Sequence, residues 1–476
     1  TLFGAQPPKG QELDDHYFGT IRTRVSSFMQ DLDHQLWRLG ILSKTKHNEA
    51  APCQHELAPV YADANTACDD NQKMMAIMKK CAAKHNLVCL LHEKPFAGVN
   101  GSGKHDNWSL STDTGSNLFS PGKTPRQNAR FLVFLAAFIA GVDEYQDFLR
   151  CTVATAGNDH RLGASEAPPA IVSIYLGDEL NAVVQSIIDG TNYTDPEKSV
   201  LRIGVDVLPM IPKDTTDRNR TSPLAFTGNK FEFRMLGSSQ SVSGPNIALN
   251  TIMAEELGQF ADVLEKADNF DAALQTLVCK ALTEHSRIIF SGNGYSEEWK
   301  REAAQRGLSN LPSTAEAMPT YVSDKNVDLV TRHGVFTETE FRARYRIHLD
   351  AYNKVVAIEA KTMIDMALHQ ILPAALGYTK ELCDGIAVKK PLGLPCKAET
   401  SLADSLSTGC DGLYEAVEAL KQSLSQVPEA AEEAALHYRR VVQPRMEAVR
   451  TQADHLETLT DKRHWPFPTY SDLLFY

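Results

Sequence analysis

The sequence lacks several patterns that would each indicate a class of protein. Its 9 cysteines form no Cys-x-x-Cys pair, so neither a zinc ribbon nor a disulfide framework is indicated, and a reducing compartment fits. Lys and Arg form no basic run and the net charge is −12, which argues against a nucleic-acid partner. The longest apolar run, 131–142, is too short to span a bilayer. We therefore expect a cytoplasmic protein that binds neither nucleic acid nor membrane.

The patterns that are present indicate a globular chain of mixed structure. It has 476 residues, 43% of them hydrophobic, which suits two or three domains. Apolar residues that recur every three or four positions predict helices over 16–39, 62–84, 126–141 and 247–267. Strands are predicted over 45–49, 54–57, 86–92 and 229–235. From about residue 268 onward helices dominate, including one opened by a capping box at Thr337 and Glu340 and ended by Pro373, and another kinked at Pro444.

A glycine-rich loop over 98–110 is the stretch around which the chain is organised. Gly101 and Gly103 let the backbone approach a ligand closely. Lys104 and His105 add a positive charge and an imidazole that can bind metal. The predicted strand that precedes the loop is a sensible support for such a site. An ordinary turn with a surface lysine would carry the same residues, so the loop alone does not decide its function.

Two acids and a histidine lie upstream, between residues 45 and 59. If 45–49 is extended, His47 and Glu49 point to one face, because side chains alternate along a strand. With Glu56 in the next extended segment, they can bind a hard divalent cation through oxygen and nitrogen. A polar strand with solvent-facing acids is the alternative interpretation.

The segment 157–169 is polar and contains glycine, and we expect it to form a loop. It carries Arg161 and Glu166. A mobile loop with one arginine and one acid suits a lid that clamps a carboxylate and supplies a base. The alternative is a surface loop whose charges are unpaired.

Strict alternation over 229–235 predicts a strand in which Glu232 and Arg234 stand side by side on one face. The functional interpretation is that both face a site, although an edge strand of any protein could show this pattern. Shortly before it, Arg218 and Arg220 form a cluster that could bind phosphate oxygens.

Five motifs together resemble the catalytic half of glutamine synthetases, in that family's order: HNEAAPCQHE, NGSGKH, RLGASEAP, RNR and FEFR. The phrases LLHEKPFAGVNGSGKH and GNDHRLGASEAPPAI and the terminus WPFPTYSDLLF are similar to the type III branch. The resemblance implies an α+β fold. Its catalytic domain, 1–270, would contain a curved antiparallel sheet flanked by helices, and a mainly helical extension, 271–476, would include the aromatic tail 465–476.

The resemblance also implies a role for each matched residue. Metal ligands would be Glu49, Glu56, His105 and Glu232. Substrate would contact Asn100, Gly101, Arg161, Arg220 and Arg234. The nucleotide would contact Ser109, His47 and Arg220. The catalytic residues would be Arg161, Arg234 and Glu166, the last a flap residue that closes the site and takes a proton from ammonium. We expect these groups to converge on a pair of divalent ions in one cavity.

The activity implied by the resemblance is ATP-dependent ligation of ammonium to the γ-carboxylate of L-glutamate through γ-glutamyl phosphate, with Mg²⁺ or Mn²⁺. The enzyme would be a homo-oligomer, a dodecamer of two hexameric rings. Two alternatives stay open: a γ-glutamyl ligase that uses another amine, and a non-catalytic structural or regulatory relative. The family's first metal-binding glutamates and its β-grasp domain lie upstream of the matched part. We therefore expect this chain to be the C-terminal portion of a longer protein, which leaves organelle targeting open.

Overall fold

The computed structural model describes residues 10–96, 98–163, 167–191, 200–201, 211–212, 221–469 and 472. The chain divides into two compact units. The first combines Thr1–Gly101 with Leu349–Tyr476, and the second is Ser102–His348. The boundary predicted near residue 270 stays a prediction, because compactness alone does not delimit a functional domain.

The N-terminal part of the first unit pairs two helices with a hairpin. Its elements are α1 (Thr23–Trp37), β1 (Ser43–Asn48), β2 (His55–Pro59) and α2 (Ala64–Lys84). The apolar stripe of α1 packs against α2, as the periodicity predicted. The helix begins seven residues later than the predicted start at 16. Asn48 Nδ2 donates to the carbonyl oxygens of His16 and Gly19 at 2.9 and 3.0 Å, so those carbonyls are used outside a helix.

The strand predicted over 86–92 is not formed. Leu87 and Cys89 pack against the core of α1 and α2, whereas Val88 is 79% exposed. The apolar run that predicted a buried strand is therefore only partly buried. A strand also needs a neighbour for its backbone hydrogen bonds, and no described segment pairs with this one.

The strands that the structure describes in the second unit are β3 (Asp106–Trp108), β4 (Ile174–Tyr175), β5 (Val200–Leu201), β6 (Ile211–Pro212), β7 (Leu224–Phe226) and β8 (Phe231–Phe233). Four of them form one sheet in the order β3-β8-β7-β4. β5 and β6 form a separate pair. An antiparallel sheet was predicted, but β4 and β7 are parallel. The long connection between them provides the crossover that parallel pairing requires.

The helices of this unit that precede residue 338 are α3 (Ala129–Glu144), α4 (Gln146–Cys151), α5 (Ala156–Arg161), α6 (Asp178–Ile188), α7 (Ser243–Leu264), α8 (Phe270–His285), α9 (Glu297–Gln305), α10 (Thr314–Tyr321) and α11 (Asp324–Arg332). The apolar helix α3 packs against α7 and α8. Its Phe138 stacks on Phe231 of β8 with ring centroids 3.7 Å apart. Because side chains alternate along β8, burying Phe231 and Phe233 turns Glu232 to the other face.

The remaining helices are α12 (Glu338–Met366), α13 (Leu372–Lys389), α14 (Lys397–Ser425), α15 (Ala431–His437) and α16 (Gln443–Leu459). The capping box is confirmed: Thr337 N donates to Glu340 Oε2 at 2.9 Å, and Glu340 N to Thr337 Oγ1 at 3.3 Å. Pro373, however, does not end the helix. A π-helical segment, Ala367–Ile371, precedes it. The wider turn leaves room for the proline ring and does not need the hydrogen bond that proline, which has no N–H, cannot donate.

A second π-helical segment, Tyr438–Val442, precedes Pro444, where we predict a kink. Both prolines are therefore preceded by a π-helical segment. The prediction of an α+β fold with a mainly helical C-terminal part is confirmed. Among the described residues, no helix combines the length and apolar character needed to cross a membrane.

Candidate functional site

The hairpin of the first unit brings His47, Glu49 and Glu56 together, as the extended pattern predicted. His47 on β1 lies opposite Glu56 on β2. Its Nε2 is 2.8 Å from Glu49 Oε1 and 3.9 Å from Glu56 Oε2. Each side chain offers one ligand atom, and these atoms lie within 4.8 Å of one another. Two carboxylates and an imidazole at this spacing are a suitable donor set for a divalent cation.

The backbone around Glu49 is fixed by the turn that follows it. Glu49 N donates to the Gln54 carbonyl at 2.9 Å, and the Glu49 carbonyl lies 2.8 Å from His16 Nδ1. The turn closes at Cys53, which has a φ of 57°. Glu49 is 6% exposed, whereas the Glu56 side chain is exposed. The cluster is therefore closed on one side and open to solvent on the other.

Asn100 and Gly101 are held by two glutamines of the same unit. Gln11 Oε1 accepts from Asn100 N at 2.8 Å, and Gln11 Nε2 donates to Asn100 Oδ1 at 3.1 Å. Gln54 Nε2 donates to the Gly101 carbonyl at 2.8 Å. A Cβ on Gly101 would overlap with the Glu93 carbonyl oxygen. The lack of a side chain at Gly101 therefore lets two segments of the chain's own backbone approach closely, and the substrate contact predicted for Asn100 and Gly101 stays a prediction.

In the second unit, antiparallel pairing of β3 and β8 brings His105 to Glu232, 127 residues away. His105 Nδ1 lies 2.8 Å from Glu232 Oε1. Arg234 donates to Glu232 Oε2 from Nε at 3.1 Å and from Nη2 at 3.0 Å. The predicted side-by-side placement of Glu232 and Arg234 is present.

Glu232 is ionised over the whole physiological range. Burial alone would raise its pKa, but the hydrogen bond from His105 and the charges of His105 and Arg234 outweigh burial and lower the pKa to about 2. No third His, Cys or acidic residue of the described chain joins this pair within the spacing found in the hairpin cluster. Phosphate oxygens or water would have to complete the coordination of an ion held here.

The prediction that 157–169 forms a loop is wrong at Arg161. This residue is the last one of helix α5. A cap explains the helix: Thr155 Oγ1 accepts from Asn158 N at 3.2 Å. Arg161 is 4% exposed, and its guanidinium donates to the carbonyls of Met235 and Arg234, each at 3.1 Å. In this position it supports the backbone that follows β8.

Gly103 is required by the position of Arg161. A Cβ at residue 103 would overlap with Arg161 Nη2. Asn158 also holds the arginine, since its Oδ1 accepts from Nη1 at 3.2 Å. Sequence reasoning missed the part played by Asn158 and by the two glutamines, because no local pattern signals a hydrogen bond between distant segments.

Ser109 joins the end of β3 to the β7–β8 turn. Its Oγ donates to the Asn229 carbonyl at 2.9 Å and accepts from Asn117 Nδ2 at 2.7 Å. Its predicted contact with nucleotide stays a prediction. Glu166 and Arg220 lie outside the described residues.

Comparison with known proteins identifies related sequences over the whole chain. The model described as "Glutamine synthetase, catalytic domain" matches residues 6–174, and that described as "Glutamine synthetase C-terminal domain" matches residues 273–390. "Type-3 glutamine synthetase" of Dictyostelium discoideum is 46% identical over all of this chain and 66% of its own length. Glutamine synthetases of Butyrivibrio fibrisolvens and Bacteroides fragilis are 46% and 42% identical, with 68% and 67% of their lengths covered. The chain thus spans about two thirds of these relatives.

Proposed function

This chain belongs to the glutamine synthetase family, and we propose that its protein is a glutamate–ammonia ligase that uses ATP. The reaction would join ammonium to the γ-carboxylate of L-glutamate and release L-glutamine, ADP and phosphate, a step of nitrogen assimilation. The observation that carries the proposal is the cluster of His47, Glu49 and Glu56. A non-catalytic relative has no physical need for two carboxylates and an imidazole held at metal-binding distance.

The donor sets fit Mg²⁺ or Mn²⁺, since both prefer carboxylate oxygen and Mn²⁺ also accepts imidazole. Glu49 and Glu56 would hold one ion beside His47, and His105 with Glu232 would hold another next to the ATP phosphates. When bound, such ions neutralise the charge of the phosphates during transfer. His47 was also predicted to contact nucleotide. Its 2.8 Å contact with Glu49 favours a part in the metal cluster.

ATP is required because a carboxylate is a poor acyl donor. An oxygen of the γ-carboxylate attacks the γ-phosphorus of ATP, and ADP leaves. Ammonia then attacks the acyl carbon of γ-glutamyl phosphate, and phosphate leaves with that carboxylate oxygen. Arg234, together with Arg220, would neutralise the transferred phosphoryl group and orient the carboxylate. Arg161 would support Arg234 through its backbone carbonyl, and its predicted contact with the substrate α-carboxylate remains part of the proposal.

Ammonium becomes a nucleophile only when it loses a proton, so a base is required. We assign this role to Glu166 on the match of its motif. Glu166→Ala should keep binding of ATP and glutamate, measured by calorimetry, and lose most glutamine formation. Equal loss of nucleotide affinity would show that the assignment is wrong.

The amine distinguishes the proposed activity from its alternatives. The natural protein should release phosphate and form glutamine from glutamate, ATP and Mg²⁺ only when ammonium is present. Turnover with methylamine or a larger amine, but not with ammonium, would instead support a γ-glutamyl ligase of different specificity. Absence of turnover with every amine, in a protein that still binds ATP, would support a structural or regulatory role.

The assembly and the location belong to the same proposal. We propose a homo-oligomer, a dodecamer of two hexameric rings, on the ground of family membership alone. Mass photometry of the natural protein would measure the number of subunits directly, and a monomer would contradict this part. A cytoplasmic location is supported by nine free cysteines, which suit a reducing compartment, and cell fractionation would test it.

A further inference from the structure

A second cluster of metal-type side chains shares no residue with the proposed active site. Asp31 lies on α1, Cys81 lies on α2, and His85 directly follows α2. Asp31 Oδ2 is 3.3 Å from Cys81 Sγ and 3.3 Å from His85 Nε2. The three ligand atoms all lie within 4.8 Å of one another. We propose that these side chains bind one Zn²⁺ ion, which ties α1 to α2.

The spacing of the donor atoms fits a tetrahedral ion. Zinc bonds to sulfur at about 2.3 Å and to nitrogen or oxygen at about 2.0–2.2 Å. Tetrahedral angles then place neighbouring donor atoms about 3.3–3.5 Å apart. Both distances from Asp31 Oδ2 are 3.3 Å. The two contacts of Asp31 therefore already have the spacing that a tetrahedral ion requires.

The positions of the three residues in the fold explain why they meet. Cys81 and His85 are four residues apart, so they lie on one face at the end of α2. This face packs against α1, where Cys81 Sγ also lies 3.8 Å from the Phe28 carbonyl oxygen. Cys81 is fully buried, while Asp31 and His85 are partly exposed. The protein thus supplies three ligands on the inner side, and the fourth position faces solvent and would take water.

The chemistry of the donors selects the metal. Thiolate and imidazole favour zinc over Mg²⁺ or Mn²⁺, which prefer oxygen. Thiolate and carboxylate together carry two negative charges, which balance a divalent ion. Without metal, burial and the hydrogen bond to Asp31 together raise the pKa of the Cys81 thiol to about 11. Binding of zinc must therefore release a proton, and the affinity should increase with pH.

The alternative is a hydrogen-bonded cluster without metal, in which Asp31 accepts from the thiol and from His85. The hydrogen bonds from Cys81, His85 and Gln35 lower the pKa of Asp31, so the carboxylate is stable in that arrangement too. The two cases differ in one property. Only a metal site converts the thiol into a metal-bound thiolate, which can be observed by spectroscopy.

Cobalt is the appropriate probe, because Co²⁺ occupies zinc sites and gives a strong thiolate-to-metal absorption. Titration of the natural protein with Co²⁺ should produce this band at one equivalent, and Zn²⁺ should abolish it by displacement. The proposed catalytic set contains no cysteine, so cobalt bound there cannot give the band. The readout therefore succeeds or fails independently of glutamine formation.

Variants assign the band to this cluster. Cys81→Ser should eliminate it. Asp31→Asn and His85→Gln, at partly exposed positions, should keep the fold and weaken cobalt binding at least about 100-fold, the upper range for loss of even an indirect metal contact. The matched control is Cys68→Ser, on the same helix, which should keep both band and affinity.

Three results would overturn the proposal. The first is the absence of a thiolate band in the natural protein at saturating Co²⁺. The second is a band that persists in Cys81→Ser. The third is a cobalt affinity that is unchanged in both Asp31→Asn and His85→Gln. That result would mean that the cysteine binds cobalt without these two partners.

Discussion

Replacing Glu232 with Gln removes a charge from the β3–β8 site and keeps the shape of the side chain. In the native protein one carboxylate oxygen contacts His105 at 2.8 Å, and the other accepts two hydrogen bonds from Arg234. An amide has one acceptor oxygen and an NH₂ group that donates, so Arg234 keeps its acceptor only if His105 Nδ1 accepts from the amide. Arg234 is buried, and it would also lose its counter-charge.

The loss of stability expected for Glu232→Gln follows from the lowered pKa of Glu232. A pKa of about 2 in the folded protein, against an ordinary value of 4.5, corresponds to roughly 3 kcal/mol at neutral pH. Because the folded-state pKa is depressed, this stabilisation is complete above about pH 4.5 and disappears as the pH falls toward 2. Glu232→Gln should therefore lower the free energy of unfolding by about 2–3 kcal/mol at pH 7. The difference from wild type should shrink below pH 4.5.

Urea unfolding of the natural protein and the variant, at pH 7 and at pH 3.5, measures both effects. Glu298→Gln is the matched control, because Glu298 pairs with Arg301 at 2.9 Å but is 76% exposed, and such surface pairs contribute little. The same variants should differ in activity, since Glu232 is a proposed metal contact: we expect glutamine formation to fall at least about 100-fold in Glu232→Gln only. A Glu232→Gln protein with wild-type stability at pH 7 would refute the electrostatic reasoning.

Three further substitutions test the packing, burial and capping described above. Gly103→Ala would force a Cβ against Arg161 Nη2, and urea unfolding should show that the protein is destabilised by about 1–3 kcal/mol. The control Gly258→Ala places its Cβ in open space, so it should be neutral or slightly stabilising. Equal effects of the two substitutions would contradict the overlap. Burial raises the pKa of Glu256 to about 7, so stability should fall as the pH rises from 4.5 through 7, and Glu256→Gln should gain up to roughly 3 kcal/mol over wild type at pH 8 but nothing at pH 4. A gain of equal size at both pH values would exclude titration as the cause. Thr337→Ala removes the helix cap and should lower the thermal midpoint by the equivalent of about 1 kcal/mol; an unchanged midpoint would show that the cap is dispensable.

Features decided by neighbouring residues were predictable from the sequence. The capping box at Thr337, the cap of α9 at Ser296 and the apolar stripe of α1 depend on contacts within one or two turns. The alternation that turns Glu232 away from the core is local in the same sense.

Features that depend on distant partners were not predictable in this way. Segment 86–92 has the apolar run of a buried strand, yet strand formation depends on a neighbour that no local pattern reveals. Helix α5 was missed because it is short and polar, and its stability comes from the Thr155 cap and from Asn158 Nδ2, which donates to the Met235 carbonyl at 2.9 Å. A π-helical segment before Pro373 likewise changes the usual effect of proline.

The candidate site contains contacts that depend on neighbouring residues and contacts that depend on distant ones. The contact of His47 with Glu56 follows from hairpin pairing of two segments that the sequence predicted to be extended. The contact of His105 with Glu232 joins residues that are 127 positions apart, and only the order of family motifs indicated that both belong to one site. The support that Arg161 gives to the end of β8 could not be derived from either source.

In the proposed reaction, phosphorylation activates the γ-carboxylate of glutamate before an amine attacks it. The most direct test of this activation uses glutamate labelled with ¹⁸O in the γ-carboxylate, incubated with the natural protein, ATP, Mg²⁺ and ammonium, followed by mass spectrometry of the phosphate released. We expect one ¹⁸O atom in phosphate for each glutamine formed. Glutamine formation with unlabelled phosphate would contradict it.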